Sequence, residues 1–270
     1  MLQEVSFSIE FIASLYTIFK IKKTLMQRFS VILLLSILFI SCSTPKKEGN
    51  VSISGTVKGL KKGTLYLQKI QDTILVNLDS LVIEGDPQFA FQTNVEEPEI
   101  HYLFLDKHDG SQYNDRIDFF AEPGQITINT SLNSFEKDAI ISGGKNQAKL
   151  VEYNKMNKRF KDRNLRIIKE DYEAKKQNDE EKLAENDVAY KNLLRQKYLY
   201  TINFAINNRK LEVAPYITLN EVFDANIKYL DTVVNSLSPK VKKSLYGRQL
   251  TEYLDERKAK EAKRTEELTN

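Results

Sequence analysis

Alternating apolar and polar positions dominate the chain from residue 51 to about residue 142. Over residues 51–57 one face of the segment carries Val51, Ile53, Gly55 and Val57. This two-residue repeat is typical of a half-buried strand. Similar segments follow at 64–70, 73–83, 89–95, 100–105, 117–121 and 126–128. We therefore predict a series of short strands in this half of the chain.

Residues that form turns separate these segments. They are Lys61-Lys62-Gly63, Gly85-Asp86-Pro87, Glu97-Pro98, Asp109-Gly110 and Pro123-Gly124. Gly, Pro and Asp each favour turns for a backbone reason, so the strands are expected to connect mainly as hairpins. Short strands at this spacing predict an antiparallel β-sandwich or a partly open barrel over residues 51–144.

The pattern changes after Gly143-Gly144. No Gly or Pro occurs from Lys145 to Ala214, and apolar residues there recur near helical spacing. Residues 169–187 are almost all charged or polar. Two helices joined by a solvated segment, or one long helical hairpin, both fit this pattern.

A second helical stretch is predicted after Pro215. Residues Ser236–Lys240 favour a loop and an N-cap before a helix over Val241–Leu254. The charged tail, residues 255–270, is expected to fray. The chain is therefore predicted to be an α+β protein, with the β-domain at 51–144 followed by a helical region at 145–254.

The N-terminus has the features of an export signal. Residues 29–40 form an uncharged, largely apolar run of 12 residues behind Arg28. A membrane span needs about 20 residues, whereas the apolar part of a signal peptide has about 7–15. The run ends at Ser41-Cys42, which resembles a lipobox, although Phe39 departs from the strictest pattern. We predict removal of residues 1–41 and attachment of acyl chains such as palmitate to Cys42.

The residues around this signal bear on the same hypothesis. Residues 43–50 are polar and contain a proline, as expected of a tether, so residues 42–50 are predicted to link the lipid to the domain. A free or buried cysteine after an ordinary signal peptide is the alternative. Residues 1–25 fit poorly because Glu10 interrupts their apolar stretch. We expect either that translation starts at Met26 or that residues 1–25 are dispensable.

Charge and cysteine content exclude several function classes. The chain has 40 Lys and Arg against 37 Asp and Glu. Four of these cations and two of the anions precede Ser41, which leaves 36 against 35 and gives no reason to expect nucleic acid. The single cysteine excludes an intramolecular disulfide, a CxxC pair and a zinc site with several thiolates.

Clusters of potential metal ligands have simpler interpretations. His101 and His108 flank a predicted turn, where surface histidines are more common than metal ligands. A calcium site is conceivable in the same loop, but its spacing does not match an EF-hand and a hairpin tip is favoured. The residues concerned are Asp106, Asp109, Asn114 and Asp115.

Two further motifs also favour structural roles. Gly143-Gly144-Lys145 could hold an anion at a helix N-terminus, but it lacks the rest of a P-loop and favours a sheet–helix junction. Tyr198, Tyr200 and Phe204 could line a ligand groove, although core packing is the commoner use of such aromatics. The sequence contains no cofactor motif and no supported catalytic arrangement, so we expect neither a cofactor nor an enzyme.

The β-part resembles a known module. Residues 53–60 read ISGTVKGL, residues 63–67 read GTLYL and residues 121–125 read AEPGQ. They are similar to the domain of unknown function that forms the N-terminal part of Bacteroidetes thioredoxin-like lipoproteins, and residues 226–247 resemble the helical region of those proteins. A thioredoxin domain with a CxxC pair follows in that family. Because this chain has no second cysteine, the family's redox activity is carried over to no residue here.

Lipid anchoring, an envelope location and a recognition or scaffold role are what this resemblance implies. The leading hypothesis is a non-catalytic binding or interaction module that is held to the membrane by its N-terminal lipid, faces the periplasm and has an envelope protein as partner. An accessory subunit of a separate thioredoxin-like redox or transport protein is one alternative. An envelope hydrolase is the other, and a carboxylate pair in one pocket or a cluster around His101 would favour it.

Overall fold

Eight strands make up the first part of the molecule. The computed structural model describes residues 49–107 and 115–269. Within these residues the strands are β1 (Val51–Lys58), β2 (Lys62–Gln71), β3 (Ile74–Glu84), β4 (Gln88–Thr93), β5 (Glu99–Asp106), β6 (Asp115–Ala121), β7 (Gly124–Ser131) and β8 (Ile140–Ser142). The predicted strands are all present, and β8 is an additional short one.

Six helices follow the strands in the described residues. They are α1 (Lys145–Gln177), α2 (Glu180–Asn207), α3 (Val213–Glu221), α4 (Ile227–Ser236), α5 (Pro239–Lys242) and α6 (Leu245–Thr269). This order of strands and then helices confirms the predicted α+β class.

The strands form two four-stranded sheets. Sheet 1 has the order β4-β1-β7-β8 and sheet 2 has the order β3-β2-β5-β6. All neighbours are antiparallel except β1 and β7, which run parallel. The two sheets share one apolar core, so the architecture is a sandwich rather than a closed barrel.

Alternate residues of both sheets fill the sandwich core. The predicted inward positions Val51, Ile53 and Val57 are fully buried. Gly55 lies on the same face, where a Cβ would come within 1.7 Å of the Ile128 carbonyl oxygen. Only glycine therefore allows the parallel strand β7 to approach β1 so closely.

Sheet 2 also buries part of its outer face. Ile100 of β5 and Phe120 of β6 belong to a second apolar core that the helices form. The Phe120 ring lies edge-on to Tyr216 of α3 and Tyr246 of α6, at centroid distances of 5.3 and 6.1 Å. The helices thus make a third layer against one end of this sheet.

Helices α1 and α2 form the long hairpin that was one of the two predicted alternatives. The turn between them consists of Asn178 in the left-handed conformation (φ 53°) and Asp179, whose side chain accepts from the Lys182 N–H. Residues 169–187 are therefore mainly helical and not a solvated linker. Their charges lie on the outer faces of the hairpin, where water solvates them.

The remaining helices are short until α6. Ser238 caps α5, which confirms the predicted N-cap, and Asn226 caps α4. The predicted helix over 241–254 is interrupted, however, because α5 ends at Lys242 and α6 begins at Leu245. The tail does not fray as expected, because residues 255–269 continue α6. Arg257 donates to the Phe223 carbonyl and Lys258 pairs with Asp231, so the tail's first turn is attached to the preceding loop and to α4.

Several predictions concern residues outside the described part of the chain. These are the signal region, Met26, Cys42, the tether up to residue 48, His108, Asp109 and Asn114. Among the helices that the structure does describe, none is long and apolar enough to cross a membrane.

Candidate functional site

A cleft runs between the free edge of β6 and helix α1. It consists of two adjoining cavities of about 410 and 360 Å³. The larger lies between β6, β8 and α1, and the smaller lies between α1 and α3. Asp118, Leu150 and Asn154 line both, so the two cavities form one continuous surface, referred to below as the cleft.

The wall formed by β6 is a strand edge with side-chain caps. The Arg116 N–H donates to Glu136 Oε1 at 3.2 Å, and the Phe120 N–H donates to Gln147 Oε1 at 2.8 Å. The N–H and C=O of one strand residue point to the same side, and this side alternates from residue to residue. Asp118 lies two residues from both Arg116 and Phe120, so its N–H and C=O point in the same direction as theirs, into the cleft. In the part of the chain that the structure describes, no acceptor caps the Asp118 N–H.

Gln147 reaches this edge because the start of α1 is fixed in place. Glu122 accepts from the Asn146 N–H at 2.8 Å, and the Asn146 side chain in turn accepts from the Val213 N–H at 2.8 Å. Asn146 Nδ2 also donates to Glu212 Oε2 at 2.9 Å. Glu122 in the turn after β6, together with Glu212 and the Val213 N–H at the start of α3, thereby holds the first turn of α1 beside β6.

The same contacts decide the role of the glycine pair. Gly144 is the N-cap of α1 with a φ of 78°, which favours glycine, and a Cβ there would lie 2.0 Å from the Glu122 carboxylate. The predicted sheet–helix junction is thus confirmed. The chain's own Glu122 occupies the helix N-terminus where an external anion was the alternative.

Aromatic rings border the outer end of the cleft. The Arg116 guanidinium lies 5.5 Å from the ring centroid of Tyr102 and 5.6 Å from that of Phe104. Tyr102 pairs with Asp118 across β5 and β6. Burial and the nearby Asp118 carboxylate raise the pKa of the Tyr102 hydroxyl above its ordinary value of 10.

The inner end of the cleft contains a network of buried polar groups. Glu221 accepts from Asn157 Nδ2 at 2.8 Å and pairs with Lys197 Nζ at 2.8 Å through its other oxygen. This network fixes the orientation of the Asn157 amide, whose buried Oδ1 has no partner among the described residues. The Tyr153 hydroxyl bonds to Thr201 at 2.8 Å, and burial raises the pKa of this hydroxyl above its ordinary value of 10.

A pair of carboxylates lies in the cleft. Asp118 and Glu221 line the same cavity, the arrangement that would favour a hydrolase. Both oxygens of Glu221, however, are already bonded to Asn157 and Lys197. The described residues contain no group of three or more potential metal ligands from His, Cys, Asp and Glu.

His101 is not the surface residue that we predicted. Its ring is fully buried in the sandwich, edge-on to Phe119 at 6.2 Å, and its Nε2 lies 3.1 Å from Glu99 Oε1. The error has a simple cause. His101 is in phase with the inward-facing Leu103 and Leu105 on β5, and a histidine at such a position packs into the core.

The other predicted candidates have structural roles or are only partly described. Asp106 and Asp115 lie at the adjoining ends of β5 and β6, and Lys107 pairs with Asp115, as at the base of a hairpin. Tyr198, Tyr200 and Phe204 pack in or against the helical core rather than forming a ligand groove. The Tyr200 ring, for example, stacks on Tyr153 at 5.8 Å.

Sequence reasoning missed the residues that form the cleft. Arg116 and Asp118 were available as a signal, because they alternate with Ile117 and Phe119 on β6 and so belong to its outer face. The capping residues Glu136 and Gln147 and the network of Asn157 and Glu221 come from distant segments. No local pattern in the sequence reveals those contacts.

Comparison with known proteins identifies the β-part of the molecule. Residues 51–150 match the model of a family described as a domain of unknown function (DUF4369). The matched segment contains both sheets and the first turns of α1, including the β6 edge and its two capping residues. No curated protein matches the chain. This match over residues 51–150 confirms that the β-part resembles a domain of unknown function.

Proposed function

We propose that this protein is a lipid-anchored, non-catalytic binding module of the bacterial cell envelope, and that the cleft is its binding site. Cys42 is the proposed attachment point of the lipid, and the proposed location is the periplasmic side of a membrane. The observation that carries the binding role is the cleft itself. It joins two cavities along a strand edge whose backbone groups at Asp118 are open.

The way the folded domain begins supports the anchored arrangement. Asn50 is bonded on several sides: its carbonyl accepts from the Gly124 N–H at 2.9 Å, and its side chain donates to the Val95 carbonyl at 2.7 Å. The tether from Cys42 to Asn50 therefore ends at a fixed point. At about 3.3–3.6 Å per residue it would let the domain stand up to roughly 30 Å from the membrane surface.

The chemistry of the cleft supports a non-catalytic role. Lys197 and Asn157 occupy both oxygens of Glu221, so this carboxylate serves the packing of α1, α2 and α3. Burial raises the pKa of the Tyr153 and Tyr216 hydroxyls above the ordinary value of 10, which disfavours the tyrosinate forms, and both are neutral hydrogen-bonding groups. These groups can orient a ligand, but none of them is prepared to attack one.

The anchor is tested by expressing the full chain and a Cys42→Ala variant in a related bacterial host. Partition into detergent is measured, together with the mass of the N-terminal peptide. We expect only the wild-type protein to enter the detergent phase, with an acylated peptide that begins at Cys42. Equal partition of the two proteins, or cleavage at another site, would contradict the lipid anchor.

The binding site is tested by placing a photo-crosslinking residue at Asn154 of the full chain in its host envelope. The expected adducts should disappear when Ile140→Arg is added at the rim of the cleft, where Ile140 is 72% exposed. Ile74→Arg is the matched control, since Ile74 is 67% exposed on β3, at the other edge of sheet 2. If both arginine variants kept the adducts, or if Asn154 formed none, the cleft would not be the binding site.

A further inference from the structure

The two edge caps on β6 show which kind of ligand suits the cleft. Glu136 and Gln147 each offer a side-chain oxygen to a backbone N–H of β6, at Arg116 and Phe120. The carbonyl groups of a neighbouring strand would occupy these positions in a wider sheet. Asp118 lies between them and lines both cavities, and no described residue caps its N–H.

We infer that the cleft accepts an extended polypeptide segment, whose backbone pairs with the Asp118 N–H and C=O and adds a short strand to the edge of sheet 2. This inference rests on the proposed binding function and names the class of partner. An extended backbone supplies both an acceptor and a donor at strand spacing, which is how peptides bind by strand addition.

The opposite wall of the cleft also suits an extended segment. Among the described strands β8 pairs only with β7, so the larger cavity lies between one edge strand of each sheet. The rim carries Ile140 and Val151, which are 72% and 48% exposed. Successive side chains of a bound strand would point to opposite faces. Those on the face towards the rim would make apolar contacts with Ile140 and Val151.

Charge at the α1 end indicates which segments are preferred. Lys158 and Lys161 line the smaller cavity, and neither forms an ion pair with a described residue. They lie three residues apart on α1, a spacing that places both on one helix face. We therefore expect bound segments to carry an acidic residue or a free C-terminal carboxylate at this end, and apolar residues near Ile140.

The test uses the full protein in detergent and a random pool of twelve-residue peptides that are acetylated at the N-terminus and keep a free C-terminal carboxylate. Bound peptides are recovered with the protein and sequenced by mass spectrometry. The peptide that binds most tightly is then synthesised in two N-methylated forms. One form carries methyl groups on the even-numbered backbone amides, and the other carries them on the odd-numbered amides. N-methylation removes backbone donors and leaves the side chains unchanged, so one of the two forms should lose binding by about tenfold or more. Equal binding of both methylated forms and the parent peptide would overturn the inference.

A backbone variant of the protein tests the same hydrogen bonds by changing the protein instead of the peptide. Asp118→Pro removes the edge N–H, a change that an edge strand tolerates because this N–H bonds to no neighbouring strand. Asp118→Asn keeps the N–H and removes the charge. Asp118→Pro should weaken peptide binding by about tenfold and more than Asp118→Asn does. The reverse order would show that the side chain, not the strand edge, holds the ligand. If Asp118→Pro lowers the unfolding midpoint, the N-methylated peptides alone decide.

Failure of this inference can be told apart from failure of the proposed function. If no peptide is enriched while Asn154 still forms adducts that Ile140→Arg removes, the cleft binds something other than an extended segment. The strand-addition inference is then wrong and the binding function stands. If neither peptides nor adducts are found, both are wrong. Adducts between two copies of this chain at Asn154 would overturn the peptide partner in favour of self-association.

Discussion

The β-sandwich and the helical layer are stabilised in different ways. Apart from the buried His101, mainly aliphatic and phenylalanine side chains fill the sandwich core, and the strand ladders satisfy most of its backbone. The helical core instead contains Tyr153, and six other tyrosines pack against it: Tyr102, Tyr198, Tyr200, Tyr216, Tyr246 and Tyr253. Each of these rings brings a hydroxyl into or beside the core, and a buried hydroxyl needs a partner or a route to water.

This difference shows what places the helices on the sheet. The burial of apolar surface is non-directional, so by itself it would allow a helical hairpin to pack on the sheet in several positions. The observed position is marked by single hydrogen bonds from the helices to β5, β6 and the turn after β6, through Tyr246, Gln147 and Asn146. We therefore expect apolar contacts to supply most of the stability of the layer, and polar contacts to fix its register on the sheet.

The largest effect is expected where the two regions meet. Phe120 lies on a sandwich strand, but its ring is fully buried in the helical core. Phe120→Ala should lower the free energy of unfolding by about 3–5 kcal/mol, because it leaves a cavity between the two layers. Denaturant unfolding followed by far-UV circular dichroism measures this change.

The control for that variant is Phe223→Ala. Phe223 is 51% exposed in the loop before α4, so its loss should cost less than about 1 kcal/mol. If the two substitutions had similar effects, the helices would contribute little to the stability of the sheet, and the two regions would have to be treated as separate folding units.

An intermediate effect is expected for Asn146→Ala. The substitution leaves the buried Val213 N–H and the Glu212 carboxylate without this partner, which costs about 1–3 kcal/mol for each unsatisfied group. Asn154→Ala on the same helix is the control, because Asn154 is exposed and should change the unfolding free energy by about 0.5 kcal/mol or less. Equal unfolding midpoints for the two variants would contradict a polar attachment of α1.

A smaller effect is expected for Tyr246→Phe. The Tyr246 hydroxyl accepts from the Ile100 N–H at 2.8 Å, at a point where strand β2 no longer pairs with β5. Removing only this oxygen should cost about 1 kcal/mol, the usual net value of one hydrogen bond. Tyr229→Phe, at a residue that is 42% exposed, controls for the general loss of a hydroxyl. A shift in thermal midpoint no larger than that of Tyr229→Phe would show that the bond is dispensable.

The success of the sequence predictions follows the same division between the two regions. The strands were predictable because inward positions such as Ile126 and Ile128 alternate with polar ones, and this repeat is local. Helices after Lys145 could be predicted from the absence of Gly and Pro, but this absence did not distinguish the hairpin from two helices joined by a solvated segment. The tail was not predictable, because its attachment depends on Arg257 meeting the loop at Phe223, 34 residues away in sequence.

The candidate site could not be predicted, for a related reason. Its wall is a strand edge, and whether an edge is open depends on which strands pair and on which distant side chains cap it. Glu136 lies 20 residues from Arg116, and Gln147 lies 27 residues from Phe120. His101 shows the converse error, since its polar side chain suggested a surface position while the period of β5 placed it inside.

The smallest effect depends on pH and concerns Glu99, on the border between the two regions. Burial alone would raise the pKa of this carboxyl. The hydrogen bond and electrostatic interaction with His101, and then those with Lys69, outweigh burial and lower the pKa below the ordinary value of about 4.5. Folding thus favours the carboxylate, and the resulting stability is fully present above about pH 4.5 and disappears as the pH falls through the lower folded pKa. The difference in unfolding free energy between wild type and Glu99→Gln should therefore shrink from pH 6 to pH 3. Glu84→Gln, at an exposed position on β3, should show no comparable trend, and a difference that stayed constant or grew on acidification would mean that His101 and Lys69 do not stabilise the Glu99 carboxylate.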